Sequence, residues 1–285
     1  MKYIDKTTYL DEGHAITDSY LESECKIDEP DGHYRYQNVD YSGSFGTTTK
    51  GAKAKMMKLA IKSQHNLCCY CMRYLDEGEG VTLEHIIPQS CSPDDFKKYM
   101  DLNVYPLTAQ EVIRTADFTG VDDIKTDRRP HTVTFENLTA SCEGKFPDKG
   151  GSSLCCNNKR GEKNIYPLFY VADVENELEY MDDGSVYPNE RCSHPIEYVE
   201  TIQHVRLNCQ SLKDIRRLWH LFRNVPYEKI ESCLTDKALR EETLLNVLFQ
   251  NPDMSGQDEK ISNKFRTNDD YWHTLLLYRW FHQKI

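Results

Sequence analysis

Cysteines bracket one stretch of this chain: CCYC at residues 68–71 opens it, and SC at 141–142 and CCNNKRG at 155–161 close it. Such grouping constrains folding more than any apolar pattern. Structural zinc takes four thiolate or imidazole ligands in a tetrahedron, so segments remote in sequence must converge on one point. Cys68 and Cys71 have the two-residue separation of a zinc knuckle. The second pair is less regular. Cys142 is followed by the loop EGKFPDKGGSSL before Cys155 or Cys156 can supply the fourth sulfur. His65 is a possible substitute ligand, but it reads better as a surface or capping residue.

Composition limits the chemistry around this clamp. The chain has 285 residues, 39% hydrophobic and 28% charged, enough for one large domain or two modest ones. No apolar run approaches the roughly 20 residues of a membrane helix, and MKYIDKTTYLDEGH lacks a signal-peptide core. A cytoplasmic location without membrane attachment is therefore expected. There, eleven cysteines are metal ligands and buried thiols rather than disulfides. Cys25, Cys91, Cys192, Cys209 and Cys233 stand alone and read as small buried hydrophobes. The net charge of -11 argues against an unaided grip on nucleic acid, because that affinity comes from Lys and Arg displacing counterions. Any such binding is local or assisted by a partner.

Three regions are expected. Residues 1–47 sustain no period and read as an irregular arm. Residues 48–170 hold the cysteine-bracketed domain, with an insertion at about 91–134. Residues 171–285 form a hairpin and a helical region. Met56, Met57, Leu59, Ala60 and Ile61 predict an amphipathic helix between Thr49 and Asn66, with Lys50, Lys53, Lys55, Lys58 and Lys62 on its polar face. Tyr70–Tyr74 and Val81–Ile87 read as strands joined by DEGEG, and SPDDF as a helix start capped by Ser92. Val133–Thr139 alternates, and NKRGEKN predicts a short helix closed at Gly161. The DDG turn at 182–184 predicts a hairpin. Beyond Pro195 the apolar stripes are helical and read as core: Ile196 to Leu207, Leu212 to Phe222, Leu244 to Phe249, and Trp272 to Phe281. The fold class is α+β, mainly helical.

Between the cysteine groups lies VTLEHIIPQS, with Glu84 beside His85. Phosphodiester hydrolysis needs a base for water and a cation for charge on the phosphate and leaving oxygen. The pair could serve it, and the flanking cysteines single it out. Here the chain resembles the HNH, or ββα-metal, endonucleases. EHIIPQS looks like their strand with the general-base histidine, NL at 137–138 like their central asparagine, and CNNKRG at 156–161 like their metal-binding helix. The resemblance implies a ββα-metal finger with structural zinc at Cys68, Cys71, Cys142 and Cys156. It implies that His85 activates water, that Glu84 and Asn157 hold magnesium or manganese, and that Asn137 fixes the loop orienting His85. Lys159 or Arg160 would contact phosphate.

A narrower likeness covers roughly residues 50–225. CYC, EHIIP, NLTASC, CNNKRG and TIQHVRLNCQSLKDIRR are similar to PtuB, the HNH subunit of Septu and some retron antiphage systems. That implies a hetero-oligomer with a PtuA-like ATPase, and DNA as the substrate. The long insertion and the doubled Cys155 and Cys156 depart from the pattern. Two other readings remain: an effector cutting RNA or tRNA, and a non-catalytic zinc-finger docking module.

Overall fold

A computed structural model describes residues 1–25, 38–46, 51–76, 80–104, 106–107, 112–114, 129–147, 154–251 and 255–283. Lys50, the centre of the DEGEG turn, much of the expected insertion and the loop at 148–153 fall outside the described residues. Among the described residues the architecture is mixed, about 51% helix with small sheets. Two compact units form: Met1–Cys69, Asp76–Ser141 and Glu162–Glu175 make the first; Tyr70–Leu75, Cys142–Gly161 and Asn176–Ile285 make the second.

The arm expected to be irregular carries helix α1, Leu10–Tyr20. Its buried face is Gly13, Thr17 and Tyr20, at spacings of four and three. Gly13 is required there, because a Cβ would lie 2.5 Å from the Phe135 side chain. Thr17 Oγ1 donates to the Val133 carbonyl at 3.0 Å. Helix α2, Ala52–Ser63, matches the predicted amphipathic helix and buries Met56, Leu59, Ala60 and Ile61. Its polar face is partly engaged: Lys53 Nζ lies 4.4 Å from the centre of the Tyr41 ring, and Lys62 Nζ 5.1 Å from that of Tyr9.

Strand β1, Val81–His85, is followed by α3, Pro93–Asp101, whose N-cap Ser92 accepts from the Asp95 amide at 3.1 Å as predicted. Two-residue strands β2, Val112–Ile113, and β3, Arg129–Pro130, pair in parallel. One 3-10 turn, Phe135–Asn137, leads into β4, Leu138–Cys142, which is the partner of β1. The predicted strand at Tyr70–Tyr74 is instead a turn; only Tyr74 makes a bridge, donating its amide to Leu277 at 2.6 Å. The knuckle explains this, since Met72 takes a φ of 65°, off the strand region.

Helix α4, Asn157–Arg160, is short and closes at Gly161, with φ 53°, as expected. After α5, Val174–Glu177, strands β5, Leu178–Tyr180, and β6, Val186–Pro188, form the predicted antiparallel hairpin. Six helices follow: α6 Pro195–His204, α7 Gln210–Leu221, α8 Tyr227–Ser232, α9 Lys237–Gln250, α10 Gly256–Thr267 and α11 Asp269–Leu276. Trp219, Phe222, Leu244 and Trp272 are wholly enclosed in the second unit's core. Two predicted stripes need correction. Ile196 at the start of α6 is 70% exposed, and α9 buries Leu244 and Val247 while leaving Leu245 and Phe249 out. A run of adjacent apolar residues on a helix cannot all face one side. No described helix is long and apolar enough to cross a membrane.

Candidate metal centre and histidine site

The turn after α2 builds the first half of the metal centre. His65 and Asn66 take φ values of 53° and 60°, which reverses the chain into Cys68 and Cys71. Strand β4 ends on Cys142, and Cys156 precedes α4 with φ 51°. That backbone angle is costly for a residue with a Cβ. The Cys156 amide is held by the Val205 carbonyl at 2.9 Å.

The sulfurs of Cys68, Cys71, Cys142 and Cys156 all lie within 4.8 Å of one another, and all four residues are buried. Cys71 and Cys142 approach to 3.5 Å. Zinc bonds of about 2.3 Å to sulfur require tetrahedral edges of about 3.8 Å, so the donor set fits a structural zinc ion or a similar metal. The fourth sulfur of this group, left open between two neighbours by spacing alone, belongs to Cys156. Cys155 is equally enclosed, its sulfur 3.3 Å from that of Cys156. His65 is exposed and is not among the four.

The histidine site is assembled on β1. Glu84 and His85 are both buried, at 7% and 8% exposure, rather than decorating the surface. His85 Nε2 lies 2.8 Å from the Thr132 carbonyl oxygen. A carbonyl only accepts, so Nε2 carries the proton and Nδ1 keeps its lone pair. Gln89 reaches that Nδ1 with its amide nitrogen at 3.3 Å. The Tyr41 ring meets the imidazole edge-to-face at 4.3 Å, and Tyr41 Oη donates to the Leu83 carbonyl at 3.2 Å. Burial, with the nearby Glu84 charge, pushes the Tyr41 phenol well above its ordinary range. Tyr41 is therefore a neutral donor at ordinary pH.

Asn137 is wholly buried and ties this loop together. Its Oδ1 accepts the Ile87 amide at 2.7 Å, while its Nδ2 donates to the Ile87 carbonyl at 3.0 Å and the His131 carbonyl at 2.7 Å. Its own carbonyl accepts the Ile86 amide at 2.9 Å. A carboxamide supplies both donor and acceptor, whereas an ionised aspartate at this position would accept but not donate. Behind it, Lys6 donates its buried ammonium to the Phe135 and Leu138 carbonyls, over the Phe135 ring at 3.9 Å. Burial lowers the Lys6 amine to about 7. Glu136 bonds His14 and Thr134. Burial alone would raise its carboxyl, but those partners hold it below the ordinary range.

Glu84, His85 and Asn137 thus belong to one folded region of the first unit. Asn157, Lys159 and Arg160 sit on α4 in the second. Lys159 is half-buried, whereas Arg160 is 2% exposed and donates to Tyr70 Oη at 3.3 Å. No known family model matches the sequence, and no curated protein matches it. The site therefore stands on its own geometry. Tyr41, Gln89, Thr132 and Lys6 were not singled out by sequence. Gln89 alone carried a signal, four residues beyond His85 in HIIPQ.

Proposed function

We propose that the chain is a metal-dependent endonuclease of the HNH kind, hydrolysing phosphodiester bonds in DNA as the effector of an antiphage complex with an ATPase partner. The observation supporting this most strongly is the orientation of His85. Its ring is buried, its Nε2 proton is committed to Thr132, and its loop is bound by the three side-chain bonds of Asn137. That arrangement leaves a defined basic nitrogen, as a general base requires.

In this reading, His85 Nδ1 takes a proton from water as the water oxygen attacks phosphorus. The bond to the 3′ oxygen breaks, the leaving oxygen is protonated from solvent, and a 5′-phosphate remains. Gln89 holds the imidazole until water displaces its long contact. The motif resemblance gives Glu84 and Asn157 to a divalent cation, magnesium or manganese. Their carboxylate and amide oxygens suit such hard ions, which would neutralise charge on the leaving oxygen. Lys159 is the accessible phosphate contact. The acidic chain would draw most of its affinity for DNA from the partner.

The test is nicking of plasmid DNA by purified protein, with its ATPase partner where required, with magnesium or manganese. His85→Ala should abolish cleavage at unchanged zinc content. Full cleavage by that variant would remove His85 as the base. Parallel digestion of total RNA decides the substrate, and RNA cleavage alone would overturn the DNA assignment.

A further inference from the structure

A half-buried lysine stands beside the histidine site. Lys53 is the second residue of α2, and its amide donates to the Phe45 carbonyl at 3.1 Å. Its ammonium lies 4.4 Å from the centre of the Tyr41 ring, the same ring that meets the His85 imidazole edge-to-face at 4.3 Å. Tyr41 is fixed from two sides, by its hydroxyl on the Leu83 carbonyl and by its ring stacked 5.6 Å from that of Phe45. Lys53, Tyr41 and His85 all belong to the first unit. Two features of Lys53 do not favour the folded helix. No carboxylate pairs with it among the described residues, although acids outnumber bases in this chain. Partial burial lowers its amine below the ordinary range, as for a charge drawn from water without an anion. A cation in the first turn also opposes the helix dipole, and α2 has no acidic residue there to offset it.

We propose that Lys53 binds a phosphate of the nucleic-acid strand that His85 attacks, with Tyr41 holding the ammonium and the imidazole at fixed places on one ring. The inference rests on the nuclease reading of His85 and deepens it, adding to Lys159 a phosphate contact in the histidine's own unit. A bound phosphate supplies the anion that Lys53 lacks and relieves the opposition to the helix dipole. Nucleic acid offers such a group at every nucleotide, and a lysine ammonium takes it as a point charge without reading the base. The competing account is that Lys53 merely covers the Tyr41 ring. Lys62 provides the comparison: it lies over the Tyr9 ring at 5.1 Å, nine residues or about 13 Å further along α2. It makes the same kind of contact on a ring with no histidine against it among the described residues.

The full chain, with the proposed ATPase partner where nicking requires it, is titrated by fluorescence anisotropy with labelled duplex DNA and with labelled single-stranded RNA. Magnesium and manganese are left out so that nothing is cut. Lys53→Met should weaken binding about fivefold at low salt, the upper end for one partly exposed charge pair. It should also reduce the slope of log affinity against log salt, by about 0.9 on the duplex or about 0.7 on the single strand. Lys53→Arg should restore both, and Lys62→Met should change neither. In cleavage assays the loss should fall on KM, with kcat kept. Lys53→Gln, a second neutral variant, gives the same reading if Lys53→Met fails to fold. An unchanged slope, an equal fall in Lys62→Met, or no binding by the wild type overturns the proposal. Nicking by the wild type with an unchanged slope in Lys53→Met sinks the lysine assignment alone. A lysine-dependent slope in a chain whose His85→Ala variant still cleaves fully sinks the base assignment and leaves the lysine contact standing.

Discussion

Asn137 carries more structural consequence than its size suggests. Replacing it with aspartate deletes both amide donors and places a carboxylate against the Ile87 and His131 carbonyls. Each orphaned buried group costs about 1–3 kcal/mol. Asn137→Asp should therefore lower the urea midpoint clearly and abolish nicking, with zinc content unchanged. Gln89→Ala makes a different prediction. Its contact to His85 Nδ1 is long, so the loss should be small in stability. Cleavage should persist, falling by no more than roughly tenfold, about 1.4 kcal/mol. A complete loss would show that Gln89 does more than hold the ring.

Among elements, α1 and the segment before it brace the turn that carries Asn137. Lys6 bonds the carbonyls at Phe135 and Leu138, on either side of that residue. Its folded-state value of about 7 lies below its ordinary 10.5. The unfolded chain thus binds the extra proton between these values, and stability rises with pH across that window. Below about 7 the contribution is flat. Comparing urea unfolding of wild type and Lys6→Met from pH 7 to 10 should show the wild type gaining on the variant as pH rises. A constant difference would place the Lys6 amine near its ordinary value. This brace was hidden in the sequence for a physical reason. The buried face of α1 is Gly13, Thr17 and Tyr20, which no search for apolar periodicity registers. The cysteine quartet was legible because ligand spacing is a direct geometric demand. The identity of its fourth member was not, because adjacent Cys155 and Cys156 differ only in three dimensions. The pairing of β1 with β4, rather than with a strand at 70–74, followed from the same knuckle.

At the scale of the whole molecule, metal and core are one stability problem. A structural zinc site is worth on the order of 10 kcal/mol, comparable to the entire stability of a domain. A strong chelator should therefore remove the cooperative thermal transition, and zinc should restore it; an unchanged melting curve would deny the metal a structural role. For the proposed complex with an ATPase, the helical region from Pro195 is the surface to test. Deleting 226–285 would be uninformative, since Trp272 and Leu275 are buried in the core. Leu245 and Phe249, one turn apart on α9 and exposed, make a narrower test. Leu245→Asp with Phe249→Asp should abolish co-purification with the proposed ATPase partner while leaving the melting temperature within a few degrees. Retained co-purification would move the partner elsewhere.

The knuckle has a bearing on synthesis. The Cys71 sulfur lies 3.6 Å from Tyr278 Oη, a contact spanning 207 positions, and the Tyr74 amide is taken by Leu277. At translation rates of about 5–20 residues per second, the ribosome needs roughly 10–40 s to reach Tyr278 after Cys71. Through that interval the thiols of the first knuckle exist without the surroundings that enclose them. A newly made chain is then open to oxidation and to the wrong metal, and its maturation should depend on how much zinc the cell supplies while the chain is still being made.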